Sequence, residues 1–101
     1  MSTHGNSKKN QKEHHVYAIY DAEEEDVFKY GISDKPIGKD GQSRRTREQV
    51  EYLNRAVGWF RYYALLLFRG ILGRPKALEI EQECIDAYEK KCGRTPRGNV
   101  D

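Results

Sequence analysis

The run VYAIYDAEEEDVFKYGIS, Val16 to Ser33, decides the fold. Its two ends, VYAIY and VFKYGIS, are rich in the β-branched and aromatic residues that favour strands. The acidic AEEED between them suits an exposed turn, and the pattern predicts a β-hairpin. Side chains alternate across a strand, so Tyr17 and Ile19 share one face of the first strand and Val16, Ala18 and Tyr20 the other. On the second strand the same alternation sets Phe28, Tyr30 and Ile32 against Val27, Lys29 and Gly31. A glycine inside a strand marks a close approach by another backbone or by a ligand, which singles out Gly31.

Beyond the hairpin, DKPIGKDGQ (Asp34 to Gln42) carries the Pro, Gly and Asp of a loop. Ser43 is a suitable N-cap for a helix over Ser43 to Val57. At about 100° per residue, Val50, Leu53, Ala56 and Val57 form its apolar arc, with Tyr52 at the edge. Arg44, Arg47, Glu48, Glu51 and Arg55 fall opposite. Arg45 and Gln49, four apart, fall on the inward half. An inward charge needs a partner, so Arg45 stands apart from the other arginines.

The stretch WFRYYALLLFR, Trp59 to Arg69, is too apolar for a surface helix. It predicts a central strand, Trp59 to Phe68, buried on both faces over its second half. Gly70 to Arg74 reads as a turn, and a last helix runs from Pro75 to Lys91 or Cys92, stopped by Gly93. Its apolar face holds Ala77, Leu78, Ile80, Cys84, Ile85, Ala87 and Tyr88. Of the five acids on this helix, Glu81 alone points into that face. A desolvated carboxylate needs a cation, which here is either Arg45 or a metal ion.

The 101 residues make one small domain, with a formal net charge of only +2. Lysines and arginines nevertheless cluster at the N-terminus, around Arg44 to Arg47 and near the C-terminus, where they suit a polyanion. Met1 to Glu13 is polar and reads as a disordered lead, so the domain proper is residues 14–101. There is no apolar run of bilayer length and no signal-peptide pattern, so no membrane partner is expected. Cys84 and Cys92 fall about 12 Å apart on a helix, too far for a disulfide. The closing RTPRGNVD reads by itself as a frayed end.

The order hairpin, helix, strand, helix resembles the GIY-YIG (URI) nuclease superfamily. His15-Val16-Tyr17 falls where that family has Gly-Ile-Tyr, and Lys29-Tyr30-Gly31 where it has Tyr-Ile-Gly, followed by Ile32-Ser33. Arg45 matches its catalytic arginine, ALEIEQECI (Ala77 to Ile85) its glutamate helix, and Pro96 to Val100 its closing Pro-x-x-Asn segment. His15 and Lys29 depart from the family's Gly and Tyr, and the loop after Gly31 is longer. Among members, the chain looks most like the URI-type toxin domains of bacterial polymorphic toxins.

The resemblance implies an α+β fold with a small three-stranded antiparallel sheet flanked by helices. It implies a metal-dependent endonuclease acting on DNA, delivered into the cytoplasm of a target cell and neutralised at home by an immunity protein. Tyr17 is expected as the base that activates water, Arg45 on the scissile phosphate, and Tyr30 orienting the water or Tyr17. Glu81 is expected to hold one Mg²⁺ or Mn²⁺, with His15, Lys29, Gln49 and Asn99 as substrate-binding residues. An RNase, or a non-catalytic module binding nucleic acid or protein, fits the same scaffold.

Overall fold

The computed structural model describes residues 12–100, so most of the expected lead lies outside the described residues. Strands β1 (Glu13–Asp21) and β2 (Asp26–Ser33) form the hairpin. Helix α1 (Arg44–Val57), strand β3 (Tyr62–Leu72) and helix α2 (Arg74–Cys92) follow, and a short 3-10 turn (Arg97–Asn99) closes the chain. The sheet is antiparallel and three-stranded in the order β2-β1-β3, so the fold is α+β as expected.

The helix ends follow local chemistry. Ser43 caps α1, its hydroxyl accepting from the Thr46 N–H at 3.3 Å. Gly58 (φ 84°) ends α1, and Gly93 (φ 76°) ends α2, its N–H donating to the Glu89 carbonyl at 2.7 Å. Left-handed backbone at these two positions favours glycine.

The helices cover opposite faces of the sheet. Tyr17 and Ile19 pack with Tyr62 and Ala64 against Val50 and Leu53 of α1. Val16 and Ala18 face the other way, packing with Ile71 and Val27 against Ala77 and Tyr88 of α2. The buried residue of α1 is Thr46, whereas Val57 of the expected apolar arc is exposed. Val50 and Leu53 keep their expected place against the sheet, while Ala56 and Val57 at the end of the helix are exposed.

Three expectations are corrected. The central strand is β1, whose Val16, Ala18 and Ile19 are fully buried; the Trp59 stretch supplies an edge. That edge strand begins only at Tyr62 and runs through Gly70 to Leu72, because Glu13 and His14 extend β1 and pair with Leu72 and Ile71. Trp59 and Phe60 (90% exposed) belong to the preceding turn, and the Asn54 side chain fixes the strand start by bonding both the N–H and the carbonyl of Tyr62. On β3 Tyr63, Leu65 and Phe68 remain about half exposed rather than buried, while Tyr62 and Ala64 pack against α1 and Ile71 against α2.

The third correction concerns side-chain direction on β2. A bulge opposite Ile19/Tyr20 leaves Phe28 without a partner, since Ile19 pairs with Lys29 and Tyr20 with Val27. Phe28 packs on the α1 side, edge-on to Tyr62 at 5.2 Å, while Tyr30 and Ile32 face α2. The bulge thus turns Phe28 and Lys29 toward α1 together.

The C-terminal segment is docked rather than frayed. Asn99 accepts from the Tyr30 N–H and donates to the Tyr30 carbonyl, both at 2.9 Å, imitating a partner strand along the free edge of β2. Arg97 and Arg61 both reach the fully buried Asp21 carboxylate, at 2.6 and 2.8 Å. Arg94 reaches Asp26 at 2.6 Å, and that carboxylate also accepts from the Tyr88 hydroxyl.

Candidate active site

A cleft of about 330 Å³ opens where the end of β2 meets the N-terminal halves of both helices. Tyr17, Lys29, Arg45 and Glu81 all line it, so four candidate residues from four elements share one space. Lys35 and Arg74 add positive charge at its walls, against Asp34 and Glu81. Lys35 lies in the loop after β2 and Arg74 is the first residue of α2, and nothing in the local sequence pattern singles either out.

Tyr17 enters from the central strand and is almost fully buried. Its ring passes over Gly31, its partner on β2; a Cβ there would stand 2.5 Å from both Cζ and the hydroxyl oxygen. The close approach that the glycine signalled is therefore made by a side chain. Gln49 donates to the Tyr17 hydroxyl through Nε2 at 2.8 Å, and its Oε1 accepts from Lys29 Nζ at 3.2 Å. The Tyr17 oxygen is thus an acceptor from Gln49 and keeps its own proton to donate. Burial pushes the phenol above its ordinary pKa, while Gln49 and the charge and hydrogen bond of Arg45 pull it back. The net direction is upward, so Tyr17 rests as a neutral phenol.

The three arginines of the first α1 turn differ in what they meet. Arg44 pairs with Glu48 at 3.2 Å and Arg47 with Asp40 at 3.6 Å. Arg45 makes no ion pair among the described residues and faces the cleft beside Tyr17. Glu81 is half buried and likewise makes no ion pair among the described residues, so it is not tied to Arg45. Burial pushes its carboxyl above the usual range, against the pull of Lys29 and Arg74.

The remaining candidates lie elsewhere. Tyr30 is on the opposite face, its ring edge-on to Tyr88 at 6.4 Å, and does not reach Tyr17. Asn99 has both ends of its amide engaged by the Tyr30 backbone and acts as a clamp. His15 is buried beside Tyr17, ring centroids 6.1 Å apart, and does not line the cleft. Gln49 touches Tyr17 and Lys29, so it positions those two side chains.

Among the described residues no group of three His, Cys, Asp or Glu side chains gathers in metal-binding geometry. Asp34, the other carboxylate on the cleft wall, pairs with Lys12 at 3.7 Å, whereas Glu81 is partly desolvated and makes no ion pair among the described residues. Such a donor suits Mg²⁺, which keeps several waters and takes few protein oxygens beside substrate phosphates.

Fold and cleft together define a small α+β domain whose largely cationic cleft brings the Tyr17 phenol together with the carboxylates of Asp34 and Glu81. The chain belongs to the family described as URI fold toxin 2, whose model matches residues 7–93. It is thus a toxin domain of the URI type; the match stops short of the docked tail. No curated protein and no solved structure matches it.

Proposed function

We propose that this toxin domain is a divalent-metal-dependent endonuclease that hydrolyses DNA phosphodiester bonds. The observation that carries the reading is the convergence of Tyr17, Arg45, Lys29 and Glu81 on one cleft. Hydrolysis at phosphorus needs charge neutralisation on the phosphate, an activated water and a stabilised leaving oxygen. Arg45 and Lys29 hold the phosphate. Tyr17 first loses its own proton to solvent; as phenolate it takes a proton from the attacking water while the water oxygen bonds to phosphorus, the P–O bond to the leaving oxygen breaks, and that oxygen takes a proton from solvent. Arg45 and the Lys29–Gln49 relay favour that loss, and burial opposes it. Glu81 would hold one Mg²⁺ or Mn²⁺, which would supply positive charge to the phosphate and favour ionisation of the phenol. Membership of a toxin family supports delivery into a target-cell cytoplasm and neutralisation by a cognate immunity protein.

The test is incubation of the purified domain with plasmid DNA and, in parallel, RNA, with Mg²⁺ and with EDTA. DNA is cleaved with Mg²⁺, spared with EDTA, and spared by Glu81→Gln. Cleavage of RNA alone replaces the substrate, and EDTA-resistant cleavage removes the metal. A folded protein that cuts neither nucleic acid refutes the proposal.

A further inference from the structure

A second pocket, about 490 Å³, adjoins the cleft on the α1 side, and Lys29 and Arg45 line both. Its character differs from that of the cleft. Phe28 and Leu53 give it an apolar floor, Tyr52 stands at its wall and Glu48 at its mouth. Tyr52 is 72% exposed, a large ring left in water one helical turn from Gln49. The glycine of the tail closes the pocket, since a Cβ on Gly98 would stand 2.6 Å from the Phe28 ring.

Glu48 gives this pocket an acid, its Oε2 paired with Arg44 Nε at 3.2 Å and its Oε1 left to accept, so the pocket lacks the cationic character of the anion site. That carboxylate suits the amino and imino donors on the edge of a nucleobase. A free aromatic ring beside a cationic groove is the arrangement on which unpaired bases stack. We propose that this pocket is a nucleobase subsite: an unpaired base next to the phosphate held by Arg45 and Lys29 stacks on Tyr52 over Phe28 and Leu53. The bulge at Phe28 is what creates it, because regular alternation would turn Phe28 away from Lys29. The domain therefore takes single-stranded nucleic acid, or a nucleotide extruded from a duplex, in preference to paired sequence. This rests on the phosphodiester reading of the adjoining cleft.

Binding without divalent ions separates the two. The probes are a labelled short single strand, the same strand with abasic positions, and the corresponding fully paired duplex, in DNA and RNA versions that identify the strand type. The wild-type domain binds the base-bearing strand about tenfold more tightly than the abasic one, a factor within the range of one stacking contact. Tyr52→Ala, at an exposed position, removes that contrast and binds both strands alike. Equal wild-type affinity for base-bearing and abasic strands overturns the subsite, as does a contrast undiminished in folded Tyr52→Ala or tighter binding to the paired duplex. If Mg²⁺-dependent cleavage persists while the contrast is missing, the subsite falls and the nuclease reading stands. A Tyr52-dependent contrast without cleavage by any divalent ion retains the subsite and removes the nuclease.

Discussion

Replacing Gly31 by alanine asks how far the cleft depends on the seat of one ring. An alanine Cβ would stand 2.5 Å from Tyr17 Cζ and hydroxyl oxygen, where contacts from 3.4 Å are ordinary. The ring therefore has to retreat by about 1 Å, which also pulls the hydroxyl from Gln49 and its 2.8 Å bond. Gly31 is not among the glycines with positive φ, so the backbone accepts alanine and the unfolded chain loses about 0.4–1 kcal/mol of conformational freedom. An approach as close as 2.5 Å places overpacking in the upper part of its usual range, about 2–3 kcal/mol, leaving a net loss of about 1–2.6 kcal/mol. For a domain of this size that is a melting temperature lower by roughly 4–20 °C. Under the proposed mechanism, nuclease activity is expected to fall further, about 100-fold, the usual effect of a reacting group misplaced by about 1 Å. Thermal melts and plasmid cleavage on the same preparation read both numbers. In a Tyr17→Ala background Gly31→Ala loses its clash and costs little stability, so a double-mutant cycle isolates the contact. Wild-type stability and cleavage in Gly31→Ala, or an equal destabilisation in the two backgrounds, would refute the reasoning.

Glu81→Gln is more stable than wild type at neutral pH. The folded-state pKa is raised, so the wild-type contribution is full below the unfolded value and lost as pH rises through the folded one. The difference should vanish in acid melts, and saturating Mg²⁺ should raise the melting temperature of wild type but not of Glu81→Gln. Tyr17→Phe keeps the ring and loses the hydroxyl; cleavage is expected to be abolished with little change in the melt, and residual wild-type rate would remove Tyr17 as the base. Because burial holds the Tyr17 phenol above its ordinary pKa, the cleavage rate of wild type should climb with pH into the alkaline range, and a rate falling above neutrality would contradict that assignment. Asp21→Asn leaves Arg61 and Arg97 without their shared carboxylate and is expected to cost about 3 kcal/mol in urea melts. Arg61 and Arg97 hold the Asp21 carboxyl far below its usual range, so that contribution is present above the ordinary aspartate pKa and fades as pH falls toward the folded value.

The sequence by itself determined what local pattern can carry. The hairpin follows from two strand-prone runs around an acidic turn, and the start of α1 and the end of α2 from Ser43 and Gly93, because caps and turns are chemistry between near neighbours. Arg45 and Glu81 stood out because each is a charge on the wrong side of a helical wheel, a signal that needs no partner to be visible. Tertiary structure decided the rest. The apolar YYALLLF reads like a buried central strand, yet strand order depends on which edges meet, and β1 took the centre. One unpaired residue at Phe28 reversed the expected grouping on β2, placing Phe28 and Lys29 beside α1 and sending Tyr30 to the other face. The tail acquires order largely from Asp21, Asp26 and the Tyr30 backbone, all more than 65 residues away in sequence. Such pairings leave no periodicity in a single strand or helix, because their energy comes from segments that meet only after the chain has folded.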